Sequence, residues 1–329
     1  MIRLTALLLF LTITTQAHAD CRGQDLTQNL APDLRDSLDA RLIETPYAQG
    51  NHWIATKDGA TLHLIGTMHL TDPRLDGPTA RLSPLLDDAA LLLLEMTAAD
   101  KATMETSVLS DPTLFMLKGA SLPDLLPEDE WQALAAAMEA RGVPAFVGAR
   151  MQPWYLSMLL SVPACMKQLL EQQDGLDFRL EDAAEARGLQ TRSLEPWDTF
   201  FGLFADIPLQ TQLAMIRAAL TAPEVNEDLF TTMLDSYFDE RSAEGQIALE
   251  LLGPSLTPLT EEENAAVTAF MNDSLLARRN AAWMPVLKKA LANTESPVIA
   301  AFGAAHLPGK DGILNLLEEQ GFTLTRAPF

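Results

Sequence analysis

The sequence predicts an α/β (α+β) fold, in which a large helical insertion or cap interrupts a central mixed sheet built from N- and C-terminal parts. Strand-like apolar runs alternate with helical stretches near both ends of the chain. Residues 89–96, "AALLLLEM", are apolar without alternation, which is typical of a strand covered by helices on both faces. Helical stretches occupy the middle of the chain, about 100–180 and 200–292.

The first 19 residues are predicted to be a secretory signal peptide. Arg3 precedes an apolar run, and Ala17–His18–Ala19 matches a small-x-small cleavage site. Cleavage near Ala19/Asp20 would leave a single domain over 20–329, exported to the periplasm or secreted. No later apolar stretch has the roughly 18–20 residues that cross a bilayer, so we expect no stable membrane insertion after signal removal.

Charge and cysteine content bear on partners and compartment. The formal net charge is −22, which argues against nucleic acid as a partner, because phosphate binding needs clustered Lys and Arg. The chain has two cysteines, Cys21 and Cys165. In an oxidising compartment they predict one disulfide, and the alternative is two unpaired thiols.

The individual elements follow from local patterns. Residues 53–65 predict a β-hairpin around Lys57–Asp58–Gly59, because Asp-Gly is a strong turn signal. One helix is expected from Pro73 to Asp88, and the apolar strand follows it. Another helix covers 128–141 and stops at Gly142.

The second half is patterned in the same way. Residues "RMQPWYLSMLLSV" predict a helix, and "QTRSLE" predicts a short strand that ends at Glu195. Thr260 and Glu263 form a capping box at the start of a long helix. The chain is expected to close as strand, loop, helix and strand from residue 297 onward.

Two Gly-x-x-His motifs follow apolar runs directly: Gly66 with His69, and Gly303 with His306. Ligands of α/β sheets bind beyond the carboxyl ends of the strands, so both histidines are expected at that edge. Two glutamates, Glu95 and Glu195, end other predicted strands and are expected beside them. The glycines let the backbone turn sharply or approach a neighbour closely.

Imidazoles and carboxylates together suit a divalent transition metal such as Mn, Co, Zn or Fe. Such a metal lowers the pKa of a bound water, and a remaining carboxylate, here Glu195, could act as the general base. The alternative is structural: surface histidines, and a Glu195 that leaves the sheet for solvent before Pro196. His63 is expected to face a neighbouring strand and His52 to lie on a loop, and neither is given a role.

Other catalytic signatures are absent from the sequence. It contains no Gly-x-Ser-x-Gly elbow and no His-Glu-x-x-His zinc motif. It also contains no Walker A motif and no Gly-x-Gly-x-x-Gly, so nucleotide binding has no support.

Several blocks resemble the TraB/GumN family, which is related to the TIKI metalloproteases. They occur in the family's order and cover nearly all of the mature chain: "LIGTMHLTD", the strand ending at Glu95, "MQPWYLSMLL", "GLDFRLEDAAEARGLQTRSLE", "ARRNAAWMPVL" and "FGAAHLPGKDGILNLLEEQGF". The terminal block, with Gly-Ala-Ala-His-Leu-Pro-Gly after a strand, is the most specific.

The resemblance implies a metal-dependent hydrolase, most simply a peptidase, with peptide or a small molecule as substrate. It places the metal on His69, Glu95 and His306. Arg279 and Asn280 match the family's Arg-Asn pair, and of the adjacent arginines we expect Arg279 to point inward. The alternative function is a non-catalytic periplasmic protein that binds a metal or haem at the same site.

Overall fold

The computed structural model describes residues 21, 23–166, 172 and 174–329. The predicted signal peptide, residues 1–19, lies outside the described residues. Among the described residues, no helix combines the length and the apolar character needed to cross a membrane.

Six strands form one mixed sheet in the order β4-β3-β5-β2-β1-β6. β2, β3, β4 and β5 run parallel, and β1 is antiparallel to its neighbours β2 and β6. This topology confirms the predicted α/β class with a mixed sheet. The strands are β1 His52–Lys57, β2 Ala60–Thr67, β3 Leu91–Leu94, β4 Thr191–Ser193, β5 Val298–Gly303 and β6 Thr323–Arg326.

Helices fill the intervals between the strands. The α-helices of the described residues are α1 Pro32–Ile43, α2 Asp76–Leu82, α3 Ala98–Ser110, α4 Leu122–Leu125, α5 Glu128–Ala140, α6 Ala145–Gly148, α7 Pro153–Ser161, α8 Leu176–Ala186, α9 Thr199–Ala205, α10 Leu209–Ala219, α11 Pro223–Phe238, α12 Ser242–Leu256, α13 Glu261–Ala269, α14 Arg278–Leu291 and α15 Ile313–Glu319. A π-helical segment, Phe270–Ala277, joins α13 to α14. Short 3-10 turns cover Leu26–Asn29, Pro73–Leu75, Ser83–Asp87, Pro112–Leu114, Ala164–Met166 and Ala304–His306.

Both faces of the sheet are covered by helices, which explains the uninterrupted apolar run of β3. Leu91 and Leu93 pack into a core with residues of α14 and α15. Leu92 and Leu94 point to the opposite face and pack with residues of α2 and α8. Successive side chains of a strand alternate between faces, so a strand buried on both sides must be apolar throughout.

The helical middle has cores of its own. Residues of α5, α7 and α10 pack together in one cluster. Aromatic side chains of α7 and α9, with Phe270 of the π-helical segment, form another. The predicted disulfide is confirmed: Cys21 and Cys165 are bonded, with their Cα atoms 5.7 Å apart.

Local signals gave most boundaries correctly. In the predicted hairpin turn, Asp58 and Gly59 have φ angles of 50° and 86°, as a tight type I′ turn requires. The Thr260 hydroxyl accepts a hydrogen bond from the Glu263 amide, which confirms the capping box. The single helix predicted over 73–88 is wrong, since 3-10 turns flank α2. Pro84 explains the second break, because proline lacks the N–H that would continue the helix.

The loop position predicted for His52 is wrong, because His52 begins β1, where its imidazole contacts that of His63 on β2. The His52 Nε2 atom lies 3.1 Å from the His63 Nδ1 atom, and the His52 Nδ1 atom lies 2.8 Å from the Pro328 carbonyl oxygen. Burial lowers the pKa of His52, and burial followed by the neighbouring His52 lowers the pKa of His63 to about 4. Both imidazoles are therefore neutral in the folded protein near neutral pH.

This pair predicts a loss of stability in acid. Below about pH 6.5 the unfolded chain binds protons at these histidines that the folded chain does not, so the free energy of unfolding falls as the pH drops towards 4. We predict that the Tm of His63→Gln falls less than the Tm of the parent when the pH is lowered from 7.5 to 5. At pH 7.5 the Tm values of the two proteins should differ little. Equal losses of Tm in both proteins would contradict this assignment.

Candidate functional site

Four parallel strands deliver four predicted side chains to one cavity at their carboxyl ends. His69 follows β2, Glu95 follows β3, Glu195 follows β4 and His306 follows β5. All four line the same cavity of about 610 Å³, together with Arg279. The sheet edge therefore brings these residues together, as the strand pattern predicts.

The repeated glycines allow the two Gly-x-x-His motifs to pack against each other. A Cβ atom on Gly66 would lie 2.8 Å from Leu307 Cδ1 and 3.0 Å from Ala304. A Cβ atom on Gly303 would lie 3.2 Å from Glu95 Oε1, which accepts a hydrogen bond from the Gly303 amide at 2.6 Å. A Cβ atom at Gly66 would therefore displace the second motif, whereas one at Gly303 would press on the carboxylate of Glu95.

A buried arginine joins the two carboxylates. Nη2 of Arg279 donates to Glu95 Oε2 at 2.5 Å and to Glu195 Oε1 at 2.7 Å. Nε donates to both oxygens of Glu195 at 3.1 Å. The neighbouring Arg278 is exposed, so Arg279 is the arginine that points inward.

The charge on Glu95 is set by its neighbours. Burial alone would raise the pKa of Glu95, but Arg279, followed by His306 and His69, holds it well below its ordinary value. Burial likewise opposes the charge on Arg279, whose pKa Glu95 and Glu195 nevertheless raise. The carboxylate and the guanidinium are therefore ionised together in a site with little solvent.

Trp283, which sequence analysis missed, completes the environment of Arg279. Its Nε1–H donates to Glu195 Oε2 at 2.8 Å, and the Arg279 guanidinium carbon lies 4.7 Å from the centre of its ring. Trp283 is fully buried and lies one turn after Arg279 on α14. That i,i+4 spacing was the available signal for a partner of the arginine.

The two oxygens of Glu195 are therefore both engaged. Arg279 and Trp283 donate to them, so Glu195 positions the guanidinium in this arrangement. Its predicted role as general base stays a prediction.

His306 is oriented by Asn280. Its Nδ1 lies 2.6 Å from Asn280 Oδ1, while Asn280 Nδ2 donates to the Asp311 carbonyl oxygen at 2.8 Å. The amide oxygen is thus the acceptor, so Nδ1 of His306 carries the proton and the lone pair of Nε2 accepts from the guanidinium of Arg279. Burial lowers the pKa of His306 to about 3, and its Nε2 lies 3.3 Å from Nη1 of Arg279.

His69 has the opposite electrostatic environment. Its Nδ1 lies 2.9 Å from Oδ2 of Asp177, on α8, and this carboxylate raises the pKa of His69 to about 9. Its side chain is 57% exposed, whereas that of His306 is only 4% exposed. Asp177 was not singled out from the sequence, because 108 positions separate it from His69 and no local spacing links them.

The donor set has two features that suit a divalent metal. Both histidines have Nδ1 held by an oxygen of another side chain, which is typical of metal-ligating imidazoles. A metal would bind Nε2 of each ring, and at His69 it has to displace a proton, because the pKa of about 9 keeps that imidazole protonated near neutral pH. Two residues that line the cavity, Thr67 and Asp177, each have a buried side-chain oxygen without a hydrogen-bond partner, Thr67 Oγ1 and Asp177 Oδ1. Unpaired buried acceptors are costly, so they favour a bound water, ion or ligand here.

The distances between potential ligand atoms limit which residues could share a metal ion without rearrangement. Within the described residues, only Cys21, Cys165 and Glu227 have potential ligand atoms that all lie within 4.8 Å of one another, and the two cysteines form the disulfide. The donor atoms of His69, Glu95 and His306 do not form such a group, so these residues suit a metal in kind only, and Arg279 is the cation that Glu95 holds in this arrangement. A metal bound to Glu95 has to compete with Arg279.

Gly175 brings Asp177 to His69. The Leu176 amide donates to the Met68 carbonyl oxygen at 3.0 Å, which fixes the start of α8 against the first motif. A Cβ atom on Gly175 would lie 2.4 Å from that oxygen and 2.5 Å from the carbonyl carbon of His69. Both are backbone atoms, so the clash cannot be relieved by rotating a side chain.

We predict that Gly175→Ala lowers stability by about 1–3 kcal/mol, because α8 must move away from the motif. Gly77→Ala is the control, since Gly77 lies in α2 with open space around it, and we expect an unchanged or higher Tm. Thermal unfolding followed by circular dichroism measures both. Equal Tm values for the two variants would show that the close approach at Gly175 is not required.

Known proteins resemble this chain over most of its length. The sequence model of the TraB/PrgY/gumN family matches residues 51–326. The chain is 24% identical over 275 residues to the uncharacterized protein YbaP of Escherichia coli (strain K12), covering 82% of this chain and 94% of the relative. YbaP of Shigella flexneri matches with the same identity and coverage. Because the family match spans most of its length, the chain belongs to the TraB/PrgY/gumN family.

Proposed function

We propose that this protein is an exported metal-dependent hydrolase with peptide as its substrate class. The observation that carries the proposal is the pair of imidazoles, each held at Nδ1 by an oxygen, on a cavity that also contains two carboxylates and a buried arginine. Peptide is the substrate class implied by the likeness to the TIKI metalloproteases.

His69, Glu95 and His306 would hold the metal, for which Mn, Co, Zn and Fe are the candidates. A divalent ion held there would supply a bound water whose pKa lies near neutrality. Asp177 and Asn280 fix the two imidazole rings, so that Nε2 of each is presented to the cavity.

Arg279 is suited to bind the oxygen of a scissile carbonyl and to stabilise the negative charge that develops on it. Nη2 of Arg279 donates to Glu195 Oε1 at 2.7 Å, and the guanidinium carbon lies 4.7 Å from the centre of the Trp283 ring. Because these partners are buried, the guanidinium needs little reorganisation when charge develops.

Export is supported by two features. The predicted signal peptide precedes Asp20, and the Cys21–Cys165 disulfide suits an oxidising compartment. We propose the periplasm as its location.

The first test is turnover. We predict that the mature protein, supplied with Mn²⁺ or Co²⁺, cleaves members of a peptide library followed by mass spectrometry, and that a chelator removes the activity. His69→Ala should lower the rate by about a hundredfold or more, because it removes a ligand. His63→Gln, which changes a histidine outside the cavity, should keep the cleavage rate of the parent.

Other results would separate the alternatives. Cleavage that survives both the chelator and His69→Ala would contradict the proposed site. Saturable metal binding without any cleavage would instead support the non-catalytic binding protein expected as the alternative.

The competition for Glu95 gives a second prediction. In Arg279→Met, two buried carboxylates lose their cation, so we expect Mn²⁺ to bind about tenfold more tightly or better, while turnover is lost. Arg278→Met, which changes the exposed neighbour, should match the parent. Titration calorimetry measures the affinities, and an unchanged or weaker affinity in Arg279→Met would show that Arg279 and the metal do not compete.

A further inference from the structure

Much of the cavity lining is apolar, although His69, Glu95, Glu195 and Arg279 also line it. Four of its apolar lining residues are Met104 of α3, Phe200 of α9, and Met271 and Leu275 of the π-helical segment. We call these four residues, Met104, Phe200, Met271 and Leu275, the apolar wall. Three separate segments of the chain contribute to it.

The apolar wall is supported from behind by an aromatic core. Met104, Phe200 and Leu275 pack against the cluster that contains Trp154 and Phe204. The ring of Phe200 lies 4.8 Å from that of Phe204 and 5.7 Å from that of Trp154. The wall is therefore held in place by packing, while the methionines at its surface can adapt to different shapes.

The apolar wall adjoins Arg279. Leu275 and Met271 precede Arg279 by four and eight residues on the same helical stretch, and Nη1 of Arg279 donates to the Leu275 carbonyl oxygen at 3.4 Å. The wall therefore begins beside the Arg279 side chain, where the side chain next to a carbonyl bound at Arg279 can reach it.

Met271 lines the cavity and is 46% exposed, so a ligand in the cavity can reach it, and covering its apolar surface is favourable. We propose that the apolar wall is a specificity subsite, which binds a large apolar side chain of the substrate beside the bond that is cleaved. The inference rests on the proposed function, and it names leucine- or phenylalanine-containing peptides as the preferred class.

The test uses blocked pentapeptides Ac-Ala-Ala-Xaa-Ala-Ala-NH₂ with Gly, Asp, Lys, Leu or Phe at Xaa, titrated into the metal-supplemented protein. Burial of a leucine or phenylalanine side chain should strengthen binding by about tenfold or more relative to glycine. In Met271→Glu the ratio of the Leu and Gly affinities should fall towards one, and Met271→Leu should retain it. Met233→Glu is the matched control, because Met233 is 45% exposed and lies outside the cavity.

The outcomes separate the subsite from the hydrolase. Selective binding of the Leu and Phe peptides without cleavage supports the subsite and rejects the hydrolytic function. Cleavage of all five peptides with similar affinities rejects the subsite alone. A Leu-to-Gly ratio that is the same in Met271→Glu and the parent overturns the assignment of the wall, and failure of every peptide to bind overturns both proposals.

Discussion

The ion pairs of Arg279 with Glu95 and Glu195 are the interaction on which the arrangement of the site depends. They connect α14 to the ends of β3 and β4, two strands that are neighbours in the sheet. A buried charge without a partner is strongly destabilising, so each of these groups restricts where the others can lie. The parallel strands bring the side chains of the site to one edge of the sheet, and Arg279 fixes how the two carboxylates are arranged there.

The two motif histidines are equivalent in sequence but not in environment. His306 is buried beside Arg279 and stays neutral, whereas His69 is half exposed and interacts with the carboxylate of Asp177. Environments that push the pKa values of two like groups apart are characteristic of functional sites. The asymmetry results from the surroundings, since Asp177 on α8 raises the pKa of His69, whereas burial lowers the pKa of His306.

Sequence periodicity was enough to predict the mixed sheet, its hairpin and the strand ends that carry Glu95 and His306. These features are local, because an apolar run, an Asp-Gly turn and a strand terminus are each encoded within a few residues. Asp177 and Trp283 were missed because their roles depend on contacts between distant parts of the chain. The same limitation hid the ion pair between Arg279 and Glu95, which only the side-chain geometry reveals.

The central claim is that His69, Glu95 and His306 hold a divalent metal beside Arg279. It is tested most directly by a crystal structure of the mature protein soaked in Mn²⁺ or Co²⁺, with anomalous scattering recorded at the absorption edge of the metal. The account predicts an anomalous peak about 2.0–2.2 Å from Nε2 of both histidines and from an oxygen of Glu95, with Glu95 released from Arg279. A structure without a peak at this edge of the sheet, and with the Glu95–Arg279 ion pair intact, would contradict it.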